Sequence, residues 1–163
     1  MASWAAVEEQ APQVAGLARA ACSKPRGLAM LATLRADGSP RISGIEPLIA
    51  GGELWLGMMA GSRKGSDLER DSRFALHNAS EDKEVTEGDA KVSGRAVEVT
   101  ADEEKQAFLR AFEEANRYAP SDTEDMQLFR ADVTEVTTIR PSEDHLDIDT
   151  WRQGRGISRV DRY

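Results

Sequence analysis

The stretch Leu54-Trp55-Leu56-Gly57-Met58-Met59-Ala60-Gly61-Ser62-Arg63-Lys64 decides how this chain is read. Its first half is a short apolar run, which predicts a buried strand. Beyond it, Leu68 among Asp67, Glu69 and Arg70 predicts about two helical turns before Phe74-Ala75-Leu76 begins another strand. The tetrapeptide Gly61-Ser62-Arg63-Lys64 therefore falls at a strand-to-helix junction. A small residue, a hydroxyl and two adjacent cations in that position suit a phosphate. Ser62 can donate a hydrogen bond, Arg63 can grip two oxygens in a fork, and Lys64 adds a mobile point charge. Free backbone N–H groups at a helix start add to the attraction. Taken alone the tetrapeptide is weakly specific, and its neighbours supply the context.

Upstream, Leu28-Ala29-Met30-Leu31-Ala32-Thr33-Leu34 is apolar and leads to Asp37-Gly38, a hairpin signal. Arg41-Ile42-Ser43-Gly44-Ile45-Glu46 follows as a second strand, and a Gly51-Gly52 turn precedes the third. A flat ligand ring would find a slot near Ser43, Gly44 and Ile45, where Gly44 allows close backbone approach. In this order of elements the chain resembles the FMN-binding split-barrel superfamily, which includes pyridoxamine 5'-phosphate oxidase-like and flavin or deazaflavin oxidoreductases. That superfamily carries a three-strand meander, then Ser-Arg-Lys, a short helix and a Pro-Arg-led strand. Here the last element is Asp71-Ser72-Arg73, with Ser72 in place of the proline. The resemblance runs from about Leu28 to Val99. It implies a mainly β fold with helices, an antiparallel split barrel of about six to eight strands. It also implies FMN contacts from Arg41, Gly57, Met58, Ser62, Arg63 and Lys64, and from Trp151 in the cluster Trp151-Arg152-Gln153-Gly154-Arg155.

At 163 residues, 40% of them apolar, the chain suits one domain spanning 1–163. Residues 1–27 form an N-terminal helical segment and 151–163 a basic C-terminal tail. No window approaches the roughly 18 apolar residues of a membrane span. Met1-Ala2-Ser3-Trp4, with Glu8 and Glu9 close behind, lacks the basic start and apolar core of a signal peptide, so the expected location is cytoplasmic. The single Cys22 excludes an internal disulfide and fits a reducing compartment, as an idle thiol rather than a nucleophile. Two histidines without spaced ligand pairs predict no metal site. The formal charge of −8 argues against nucleic-acid binding. From Glu81 to Asp149 there are 20 acids and 8 bases, which reads as a solvated acidic face. From Arg152 onward, Arg152, Arg155, Arg159 and Arg162 face Asp161 alone.

Along the rest of the chain, Pro12, Val14, Leu17, Ala18 and Ala21 predict a helix broken by Lys24-Pro25-Arg26-Gly27. Ala79 to Gly88, including Ser80-Glu81-Asp82-Lys83-Glu84, reads as a projecting loop. Asp89 to Val99 alternates as a strand with a bulge at Gly94. Thr100 and Glu103 predict a capping box for a helix whose Ala107, Phe108, Ala111 and Phe112 share a face. Pro120-Ser121-Asp122 ends that connection. Leu128 to Ile139 predicts a long strand and His145 to Trp151 a final one. His77 is expected to be a structural histidine and His145 to be exposed.

Two departures separate the chain from the vitamin-B6 oxidase itself. The family's substrate-phosphate lysine corresponds to Glu46, which would repel a phosphate. Its tyrosine-arginine-serine grip has no counterpart in Gln106 to Tyr118. The resemblance thus implies an FMN oxidoreductase acting on a small molecule other than pyridoxamine phosphate, with no catalytic side chain identified. The alternatives are a deazaflavin (F420) reductase, with Arg152, Arg155 and Arg159 receiving the polyglutamate tail, or a non-enzymatic flavin- or haem-binding protein. The expected assembly is a homodimer, the tail from Trp151 onward lying across the second subunit.

Overall fold

The computed structural model describes residues 1–23, 27–80, 82–120, 123 and 125–163. Lys24, Pro25 and Arg26 of the expected helix breaker, Glu81 of the charged loop, and Ser121 and Asp122 of the expected connection lie outside them. Among the described residues are four helices and nine strands: α1 (Trp4–Gln10), α2 (Pro12–Cys22), β1 (Ala29–Leu34), β2 (Pro40–Ile45), β3 (Leu48–Ala50), β4 (Glu53–Met58), α3 (Arg63–Arg70), β5 (Arg73–Asn78), β6 (Asp89–Glu98), α4 (Asp102–Asn116), β7 (Gln127–Pro141), β8 (Leu146–Arg152) and β9 (Gly156–Arg162).

Every ladder is antiparallel, and the order is β2-β1-β5-β6-β7-β4-β3, with β8 and β9 continuing from β7. The 15 residues of β7 are the spine. One edge of β7 pairs along β6, while the other pairs first with β4 and then with β8. Strands β2 and β4 approach one another without sharing a ladder, which is the split in the barrel. The β1–β2 hairpin closes where Asp37-Gly38 predicts it: Asp37 Oδ1 accepts from the Ser39 amide at 2.9 Å, and Gly38 takes φ 82°.

Strand β6 carries the predicted bulge. Its register against β7 shifts between Ser93 and Gly94, and a Cβ at Gly94 would stand 2.2 Å from the Asp132 carbonyl oxygen. Only glycine lets the two backbones come this close, and the bulge bends β6 and β7 into the barrel.

The N-terminal segment is two helices, not one. Ser3 caps α1 by accepting from the Ala6 amide, and Pro12 opens α2 at a position where a proline loses no helical hydrogen bond. Their apolar faces bury Trp4, Val7, Val14, Ala15 and Ala18 against the sheet. Trp4 donates to Glu8, Glu8 holds Arg19, and Arg19 Nη1 reaches the Ile49 carbonyl at 3.0 Å, tying both helices to β3. Trp151 belongs to this core. It is fully buried, and its indole N–H donates to Gln10 Oε1 at 3.3 Å. A side chain with no exposed surface has no face for a ligand or a second subunit, which corrects the expected cofactor contact of Trp151. The residues beyond it turn back at Gly154 and form β9, a strand absent from the sequence reading.

The Thr100 capping box is also corrected. Helix α4 starts at Asp102 behind Ala101, with no side-chain cap. The acids Asp102, Glu103 and Glu104 in its first turn complement the helix dipole instead. Phe108 and Phe112 are its buried face, packed with Trp55, Val99 and Leu128 in a second core outside the first.

The bulge makes a direct prediction. Gly94→Ala should lower unfolding free energy by about 1–3 kcal/mol, the usual cost of forcing atoms into a packed position. Urea unfolding followed by tryptophan fluorescence reads it, and an unchanged midpoint would show that the β6–β7 contact relaxes freely.

Candidate functional site

Helix α3 is the element that organises the site. Ser62 is its N-cap, with the side-chain oxygen accepting from the Gly65 amide at 3.1 Å. The tetrapeptide thus does begin a helix, and its side chains leave in two directions. Ser62 and Lys64 line a hollow of about 440 Å³, together with Gly44, Gly57 and Met58. Arg63 lines a second hollow, of about 390 Å³, together with Arg41, Arg35, Arg70 and Ser66. The two hollows flank the first turns of α3.

The second hollow is basic and is built on a buried acid. Asp67 is 3% exposed and accepts from Thr33 Oγ1 (2.9 Å), Arg41 Nε (2.6 Å) and Arg70 Nη2 (3.0 Å). Burial pushes the Asp67 carboxyl up, but the bonds from Arg41, Arg70 and Thr33 outweigh it and hold the group at about 2. Arg41 is therefore neither a free strand arginine nor a fully committed one. Only its Nε is bonded within the described residues, and its terminal nitrogens stay available to the hollow. Arg70 also donates to the Leu34 carbonyl at 2.6 Å, which locks α3 to the end of β1. Arg63 is exposed and makes no ion pair or side-chain hydrogen bond among the described residues. Two guanidinium groups with unused N–H donors beside the Ser66 hydroxyl form a donor set that fits a phosphate.

The first hollow is mostly apolar. Ile45, Met58, Met59, Phe108, Tyr118 and Met126 contribute to it, and Gly44 forms part of its wall with nothing within 4 Å of where a Cβ would stand. Gly57 is tightly packed: a Cβ there would meet Phe108 Cζ at 3.0 Å and Met126 Cε at 3.3 Å. Lys64 Nζ donates to the Gly44 carbonyl at 2.6 Å, and burial draws the amine below its ordinary pKa. This space fits the flat ring of a flavin, so the residues present agree with FMN in both its parts. The expected residues are thus brought together as two groups, Gly44, Gly57, Met58, Ser62 and Lys64 in one hollow and Arg41 and Arg63 in the other. Ser43 lines neither, and Trp151 is in the core.

Sequence reasoning missed Asp67 as the residue that orients Arg41. It read as one more helix-surface charge, and only its place beside the buried Leu68 hinted otherwise. The F420 groove expected in the tail is also largely used up. Arg159 grips Asp149 with two bonds of 2.7 Å and Arg152 holds Glu135 at 2.6 Å. His77 bonds the Asn78 carbonyl and faces Asp89. His145, expected to be exposed, is half-buried among Asp144, Asp147 and Asp161. No helix among the described residues is long and apolar enough to cross a membrane.

Comparison with known proteins agrees with this geometry. The family model described as pyridoxamine 5'-phosphate oxidase matches residues 18–140, well over half of the chain. The chain belongs to that family. Among curated proteins none matches the sequence. Among solved structures, the conserved hypothetical protein Rv2991 of Mycobacterium tuberculosis is 21% identical, with TM-score 0.58 over 68% of this chain and 75% of its own. PhzG of Burkholderia lata 383, solved with tetrahydrophenazine-1-carboxylic acid, is 15% identical with TM-score 0.58 over 82% of this chain and 80% of its own. A haem-binding protein of Mycobacterium smegmatis is 15% identical with TM-score 0.58, covering 90% of this chain and 87% of its own. At these identities the likeness is one of fold, and the fold is shared with this family's split barrels.

The buried acid sets a pH dependence. Asp67 sits at about 2 in the folded chain against an ordinary 3.8. Its stabilising contribution is therefore complete above about pH 4 and is lost as pH falls toward 2. Asp67→Asn should lower the urea midpoint at pH 7 and flatten the loss of stability between pH 4 and 2. Parallel acid limbs for the two proteins would show that Asp67 does not carry the effect.

Proposed function

We propose that this protein binds FMN and acts as an oxidoreductase on a small molecule other than pyridoxamine phosphate. The observation that carries the reading is the pair of hollows flanking α3, one basic around Arg41 and Arg63, the other apolar around Gly44, Gly57 and Met58. A flavin mononucleotide has the same two halves, a phosphate and a flat ring. When bound, the flavin supplies the redox chemistry by accepting or giving a hydride on its ring. The chain's own part is to anchor the phosphate, shape the ring slot and exclude water with Phe108, Tyr118 and Met126. Such chemistry does not demand an acid–base pair from the protein, in keeping with a hollow that holds no histidine among its lining residues. The ion pairs of Arg152 and Arg159 count against F420.

Arg63 gives the sharpest test, because it is exposed and its loss leaves the fold's bonds intact. Arg63→Ala should weaken FMN binding by about tenfold or more, the value of one charge-assisted hydrogen bond. Titration of the apo-protein followed by quenching of flavin fluorescence measures it. An unchanged dissociation constant removes the phosphate role from Arg63 and with it the FMN reading of the basic hollow.

We also propose a two-fold homodimer. Supporting it, Met30 (42% exposed) and Ile42 (69%) stand on one outer face of β1 and β2, and Ile157, Val160 and Tyr163 are exposed on and just beyond β9. Exposed apolar groups on adjoining strands favour burial against a second copy. Light scattering at micromolar concentration should report about twice the chain mass of 17.8 kDa. A monomer would overturn the proposal, and Ile42→Glu should shift a dimer toward monomer.

A further inference from the structure

Glu46 is exposed, just beyond the end of β2. It follows the buried Ile45, so strand alternation turns its side chain away from the core. Pro47 comes next and restricts the Glu46 backbone to an extended conformation, which fixes where the side chain emerges. Among the described residues its carboxylate makes no ion pair and no hydrogen bond. Its position is specific, however. Glu46 lines the apolar hollow of about 440 Å³ and also the neighbouring hollow of about 620 Å³, and so stands where the two meet.

Its surroundings select charge. Among the described residues lining these two hollows Glu46 is the only acid and Lys64 the only base. The Lys64 ammonium is already engaged with the Gly44 carbonyl, whereas the Glu46 carboxylate has no such partner. Tyr118 lines both hollows too. Its placement follows from Arg117, which ends α4 in the left-handed region at φ 60° and turns the chain so that the Tyr118 ring meets Phe112 edge-on at 5.5 Å. An aromatic face, methionine sulfurs and a carboxylate together favour a cation with an apolar body. The net charge of −8 raises the local concentration of such a ligand and lowers that of an anion.

We infer that Glu46 determines substrate specificity, and that the substrate, seated beside the ring slot where the two hollows meet, is a flat, mainly apolar molecule carrying a positively charged nitrogen. This rests on the hollow being the ligand site of the proposed function, and it adds the chemical class of the substrate. Glu46 binds the cation directly as an ion pair, while Tyr118, which lines both hollows, receives the apolar body.

The test uses the whole protein with FMN present, and two probes of similar shape, 1-methylquinolinium as the cation and 1-naphthoate as the anion. Calorimetry should give tighter binding of the cation by about tenfold or more, the value of one charge-assisted contact. Glu46→Gln should remove that preference and Glu46→Lys should reverse it. FMN affinity, read separately by flavin fluorescence, should change much less than the cation preference in both variants, because the phosphate donors Arg63 and Arg41 lie in the other hollow. Equal binding of the two probes, no measurable binding of the cation at millimolar concentration, or a preference that survives Glu46→Gln would each overturn the inference. Failure of FMN to bind, with the cation preference intact and dependent on Glu46, would overturn the flavin reading and leave this one standing.

Discussion

A single buried carboxylate holds the functional end of this barrel together. Asp67 receives Thr33 from β1, Arg41 from β2 and Arg70 from its own helix, so one side chain fixes three elements relative to one another. A buried acid is costly unless its lone pairs are filled, and here three donors fill them. The same bonds that satisfy Asp67 determine which way Arg41 points. Without the acid, two arginines would face each other across the hollow and repel. With it, a cluster of four arginines is tolerated in one small region of an acidic protein.

The second constraint is the close approach of β6 and β7 at Gly94. A strand of 15 residues cannot stay flat and also pair with β4 at one end and β8 at the other. The bulge supplies the bend, and Gly94 is there because the Asp132 carbonyl leaves no room for a Cβ. Curvature at this point brings β4 round toward β2, and the gap between those two strands is where the apolar hollow opens. Gly44 on β2 and Gly57 on β4 face that gap from its two sides. Bend and hollow are therefore linked: the strand geometry that closes the barrel also creates its opening.

The charge distribution follows a similar division. Two of the four tail arginines are neutralised within the chain, Arg159 by Asp149 and Arg152 by Glu135, and so fasten β9 and β8 to the sheet. The arginines around α3 keep unused donors. A count of basic residues treats the two groups alike, yet one is structural and the other is open to a ligand.

How much of this was legible in the sequence depended on how local the determinant was. The Asp37-Gly38 hairpin, the helix that begins after Ser62 and the long strand ending near Ile139 are set by neighbours a few residues apart, through turn geometry, capping and alternation, while the Gly94 bulge showed in the sequence as a glycine inside an alternating strand although its cause, the Asp132 carbonyl, is distant. The family likeness rested on those same local signals in their order, and it carried the fold. Gly44 and Lys64 came into consideration by residue type, and Arg41, Gly57 and Met58 through the family likeness. What the sequence did not determine was anything that depends on partners far away in the chain. Trp151 lies beside four arginines in sequence and reads as a cofactor contact, yet it packs under helices about 140 residues earlier. Asp67 looked like a helix-surface charge until β1 and β2 closed over it. The division of Arg63 and Lys64 between two hollows is a matter of helix rotation, since consecutive residues on a helix point about 100° apart, and only the docking of α3 against β1 fixes which way each one faces.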